Sequence, residues 1–187
     1  MKLNWVTAIL FVLMSSGIVS ADSSIASQKS MVRESLNSWI TDAEEHVVAL
    51  AEAMPEEKYS FAPTAGEFHG VRTFAEQLKH LAANNYAVSA RITGQKAPVE
   101  EADESGPASV KTKSEILNYV KGSFTALHKA ADQITDENAA EALPDVKADI
   151  VKTRIALTID AVAHSFDHYG QLVEYLRMNG IIPPASR

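Results

Sequence analysis

Over four separate stretches of this chain, apolar residues recur at steps of three and four, and no segment alternates with a period of two for long. That spacing gathers them on one side of a 3.6-residue helix, so each stretch must bury one face against another helix. The first stretch, about 28–54, carries Val32, Leu36, Trp39, Ala43, Val47, Leu50 and Met54 and is ended by Pro55. The second opens on a capping box, Thr73-x-x-Glu76, and runs through Phe74, Leu78, Leu81, Asn85, Val88 and Ile92 to Gly94. Another capping box, Thr112-x-x-Glu115, opens the third, with Leu117, Val120, Phe124, Leu127, Ala131 and Ile134. The fourth, from about Thr153 to Met178, has Ile155, Ile159, Val162, Phe166, Tyr169, Val173 and Leu176 as its main seam and stops at Gly180. Four long amphipathic helices with long connections at 55–72, 94–111 and 135–152 predict an all-α four-helix bundle. The aromatics of the first connection, Tyr59, Phe61 and Phe68, are expected to fold onto one end of it.

Ahead of the bundle, Lys2, the apolar run Val6–Met14 and the small-x-small triplet Val19-Ser20-Ala21 read as a signal peptide over 1–21. The run is short for a membrane span, so cleavage is expected to leave no stable membrane insertion. Residues 22–187 then form a single domain, exported to a periplasmic or extracellular location. The absence of cysteine leaves the domain to rest on its apolar core and limits metal ligands to His, Asp and Glu. A formal net charge of -7 without a Lys/Arg cluster argues against nucleic acid as a partner.

His164 and His168 lie one helical turn apart on the fourth stretch, a spacing that lets two imidazoles reach one metal ion. At 100° per residue they share a stripe with Leu157, Ala161, Leu172 and Tyr175, beside a polar band of Asp160, Asp167, Gln171 and Glu174. The main seam lies to one side, so the histidines are expected at the edge of the core, open to water. His80 holds a similar position on the second stretch, with Gln77 and Asn84 one turn to either side, where they could hydrogen-bond an imidazole or a bound water. Three imidazoles from two helices would leave a fourth position open, as catalytic sites do. The same spacing equally suits histidines that simply pack and hydrogen-bond. His46, His69 and His128 read as structural, with His69 in a loop that could reach a site mouth. A Gly-rich phosphate loop, a GxSxG elbow and an HExxH motif are all missing. Trp39, Tyr86 and Tyr175 read as core or pocket lining.

MPEEKYSFAP after the first helix, then FAEQLKHLAANN, then HSFDHYGQLVEYLRMNGIIPPAS occur in the order found in the DinB-like superfamily, which takes in the YfiT-like proteins. The chain resembles that family over about residues 30–186. The resemblance implies an up-down-down-up bundle and one divalent ion, zinc or nickel foremost, on His80, His164 and His168. It also implies a homodimer. Similar proteins include thiol-dependent transferases and isomerases. An exported location fits metal-dependent hydrolysis of a small-molecule substrate better, because low-molecular-weight thiols are mainly cytosolic. Asn84, Gln171 and Tyr175 are the residues expected to orient a reacting group. The alternative is a stress-related bundle that binds a metal or ligand without turning it over.

Overall fold

The structure is a computed structural model that describes residues 30–64, 70–97, 105–144 and 153–187. The expected signal peptide, His69, Phe68 and the acidic run 100–104 lie outside the described residues. Its helices are α1 (Met31–Ala53), α2 (Phe74–Thr93), α3 (Lys113–Ala131) and α4 (Arg154–Met178).

Their ends follow from local chemistry. Ser30 Oγ accepts from the Arg33 N–H to open α1, and both expected capping boxes form, so the first-turn donors of α2 and α3 are satisfied by their own side chains. Gly94, at φ 68°, closes α2 in the left-handed region that disfavours side chains with a Cβ. Asn179 caps α4 before Gly180, at φ 72°, turns the chain away.

Cross-helix pairs set the directions. Asn37 meets His128 and Lys113 reaches the Glu52 carbonyl, so α1 and α3 are antiparallel. Gln77 meets Gln171 and His80 meets His164, so α2 and α4 are antiparallel too. Lys79 bonds Pro107 just ahead of α3 and Asn85 bonds Ser123 within it, so α2 and α3 run together. His46 packs on Tyr169, and Lys58 beyond α1 reaches the Asn179 carbonyl at the end of α4, so α1 and α4 run together. The bundle is therefore up-down-down-up, with α1 flanked by α3 and α4 and lying diagonal to α2.

Ile40, Val47, Leu50, Phe74, Leu78, Leu81, Phe124, Leu127, Leu172 and Leu176 are fully buried at the centre. Two sequence expectations fail here. Trp39 is 59% exposed, and its neighbour Ile40 takes the core position. Steps of three and four from Leu36 to Ala43 can pass through either residue, and the larger ring is left at the surface. On α4 the core stripe is Leu157, Ala161, Ser165, His168, Leu172 and Tyr175, whereas Ile159 of the expected main seam is 55% exposed. His168 thus sits on the core-facing stripe, whereas His164 is half-buried at its edge. Small and polar residues win that stripe because it faces α2, where His80 and Gln77 need a polar partner.

Among the described residues, no helix is long and apolar enough to cross a membrane. The start of the first connection folds onto the end of the bundle where α2 begins. The Tyr59 ring is buried edge-on against Phe74, with its hydroxyl donating to the Ala51 carbonyl. Phe61 sits edge-on to Tyr175, whose hydroxyl donates to the Arg72 carbonyl. This aromatic cap lies just beyond the layer that holds the histidines.

Candidate metal centre

His80 comes from the second turn of α2, and His164 and His168 from successive turns of α4. His164 Nε2 lies 3.2 Å from His80 Nε2 and 3.0 Å from His168 Nε2. The ligating atoms all fall within 4.8 Å of one another, so the cluster could hold a metal ion. Donors on a tetrahedral zinc at the usual bond length are separated by about 3.3 Å, close to the spacing here. His168 is buried, and His80 and His164 are partly so.

The donor chemistry fits a cation. A neutral imidazole nitrogen carries either one proton or one in-plane lone pair. His164 Nε2 has two nitrogen neighbours and can make a linear hydrogen bond to only one of them. The other contact is then left with at best a poorly directed, shared hydrogen bond. Protonating the cluster is a poor remedy, because burial and the neighbouring imidazoles lower both pKa values on α4. Burial foremost, then His164 and His80, take His168 down to about 4. Burial and His80 lower His164 as well, against the opposing pull of Asp160 and Asp167. A cation shared by three lone pairs removes the conflict. The outer nitrogens, Nδ1 of His164 and His168, are buried without a hydrogen-bond partner among the described residues. Packing, rather than the carboxylate clamp common behind metal-bound histidines, therefore orients these rings.

This sets a pH dependence for the metal-free protein. Unfolded, His168 titrates near the ordinary histidine value; folded, it titrates near 4. Between those values the unfolded chain binds more protons, so stability rises with pH and is lost as pH falls from about 6.5 toward 4. Denaturant titrations of metal-free protein at pH 7 and pH 4.5 should differ by on the order of 2 kcal/mol from this residue. His168→Gln should remove most of that difference; an unchanged pH slope in the variant would contradict the assignment.

Around the histidines the structure arranges the other expected residues differently. Asn84, one turn beyond His80, holds its Nδ2 buried without a partner among the described residues. The Gln171 amide joins Gln77 on one side, at 2.8 Å, to Asp167 on the other, at 2.9 Å. The Tyr175 hydroxyl proton is used on Arg72. Gln77 is only 4% exposed, and its Oε1 is buried without a partner among the described residues. The chain from Asp167 to Gln77 was readable only in part: Asp167 and Gln171 are four apart on one helix, but nothing in the sequence pairs Gln171 with Gln77. His46, packed edge-on to Phe166 and Tyr169, and His128, bonded to Asn37, stand apart from the cluster.

An up-down-down-up bundle with three imidazoles converging between antiparallel α2 and α4 defines a class of helical proteins with a candidate metal centre. The family model of the DinB superfamily matches residues 40–172, and the chain belongs to that superfamily. The fold is similar to the crystal structure of a DinB-like protein from Bacillus cereus ATCC 10987, with a TM-score of 0.62 at 18% identity, covering 81% of this chain and 95% of that one. No curated protein matches.

Proposed function

We propose that His80, His164 and His168 hold one divalent ion, zinc or nickel, and that the protein is an exported metal-dependent enzyme acting on a small molecule, most simply as a hydrolase. The observation that carries this reading is the convergence of three Nε2 atoms at 3.0 and 3.2 Å, with the two imidazoles on α4 held neutral by burial. A divalent ion with an open position lowers the pKa of a bound water or thiol and so supplies a nucleophile at neutral pH. The protein's own part is to hold the imidazoles fixed, with the two on α4 kept neutral by burial, and to flank them with an acceptor on Gln77 and a donor on Asn84 that are unpaired among the described residues. A thiol-dependent transferase would use the same residues. The signal-like segment 1–21 favours hydrolysis, because it directs the chain away from the cytosolic thiol pool.

A binding module without turnover is the second reading. It is favoured by one observation: Asp160 and Asp167, the carboxylates that act on His164, are exposed, and Asp167 is tied to Gln171. In either case we propose a homodimer through the α1–α4 side. Trp39 and His46, seven residues apart, share a face of α1, and His46 packs on Phe166 and Tyr169, so exposed Trp39 and Ile159 lie on the same side of the bundle. Light scattering that found only monomer would remove the dimer.

The deciding experiment is metal content by mass spectrometry of protein purified from its native compartment, beside a variant with all three histidines replaced by alanine. About one ion per chain in the first and none in the second is expected. Absence of stoichiometric metal from the first, even after reconstitution, would overturn the reading. Turnover of esters, amides or thiol adducts by the loaded protein separates enzyme from binding module.

A further inference from the structure

Gln77 Oε1 is an orphan acceptor whose orientation is not free. Asp167, as a carboxylate, only accepts hydrogen bonds, so the Gln171 amide must turn its NH2 group toward it. That leaves Gln171 Oε1 facing α2, where it accepts from Gln77 Nε2 at 2.8 Å. Gln77 in turn can offer only its carbonyl oxygen to the remaining direction. This oxygen is buried, has no partner among the described residues, and belongs to a residue one turn from His80 in the layer adjoining the three histidines. An amide oxygen left so is costly unless something donates to it.

We propose that Gln77 is a selectivity residue of the three-histidine site. Its carbonyl oxygen, locked by the Asp167–Gln171 chain, accepts a hydrogen bond from whatever ligand completes the site. The site therefore favours ligands that carry a proton, such as water, alcohols and amide N–H groups, and disfavours aprotic anions. This rests on the metal reading above and deepens it. An aprotic anion at the open position would bring its lone pairs against those of Gln77, whereas a protic ligand gains a hydrogen bond there. The polarity is set two side chains away, so changing Asp167 should alter ligand preference without touching the site. With Asn in place of Asp167, the Gln171 amide can reverse, Gln77 can follow, and an NH2 group can replace the carbonyl facing the ligand.

The test uses full-length protein loaded with Co(II), whose visible spectrum reports the coordination sphere, titrated with azide at fixed ionic strength. Gln77→Leu removes the acceptor without changing charge and should tighten azide binding about tenfold. Asp167→Asn should also tighten it, and by more than Asp160→Asn, which removes a like charge from the polar band but leaves the chain intact. Equal azide affinity in the wild type and Gln77→Leu would overturn the proposal while leaving the metal site standing. If Gln77→Leu does not fold, the two aspartate variants decide: matching affinities overturn the proposal. A wild-type protein that takes up no Co(II) would end both the metal reading and this one.

Discussion

Replacing His168 by alanine should weaken metal binding by roughly a thousandfold, because two imidazoles cannot replace the grip of three. The loss should appear as stability only when metal is present. At a free metal concentration about a thousand times the dissociation constant, a bound ion adds about 4 kcal/mol to the wild type, and His168→Ala should gain almost none of it. Without metal the same substitution should cost far less. The folded, metal-free protein already bears on His168 a buried Nδ1 that has no partner among the described residues, and a contact of its Nε2 with His164 at 3.0 Å. Alanine removes both along with the packing. Thermal unfolding of both proteins with and without zinc or nickel measures the difference directly. An equal metal-induced shift in the two would place the ion elsewhere. His128→Ala is the control: that imidazole bonds Asn37 between α1 and α3, so its loss should leave the metal-induced shift intact.

The ends of the helices and the identity of the cluster were legible because each is written in a few neighbouring residues. Thr73 and Glu76 cap α2 and Thr112 and Glu115 cap α3 by contacts that never leave the first turn. His164 and His168 share a face by spacing alone, His80 holds a similar position on the second stretch, and the family motifs joined the three. What sequence could not give was the rotation of α4. Its apolar arc is broad, and hydropathy ranks Ile159, Val162 and Phe166 above Ala161, Ser165 and His168. Burial instead follows what the opposite helix offers. A stripe facing His80 and Gln77 gains more from imidazole and small side chains than from a β-branched wall, so most of the more hydrophobic stripe packs at the rim of the core and Ile159 is left exposed. The Gln77–Gln171 bond was hidden for the same reason, since it exists only once α2 and α4 are set in register.

That rotation makes the second large prediction. Phe124, in α3, is fully buried, and truncating it to alanine should cost about 3–5 kcal/mol in denaturant unfolding. Leu172→Ala, on the core stripe of α4, should cost about 2–5 kcal/mol. Ile159→Ala and Trp39→Ala remove side chains more than half exposed and should each cost less than about 1 kcal/mol at protein concentrations too low for association. If Ile159→Ala proved as costly as Leu172→Ala under those conditions, α4 would have to be rotated, which would swing the histidines away from His80 and dissolve the candidate centre. The concentration dependence carries separate information. Should two copies meet over the α1–α4 side, Trp39→Ala and Ile159→Ala would acquire a cost that grows as protein concentration rises, while the cost of Leu172→Ala would stay constant. One set of variants thus tests both the rotation that builds the metal centre and the surface on which a second copy would sit.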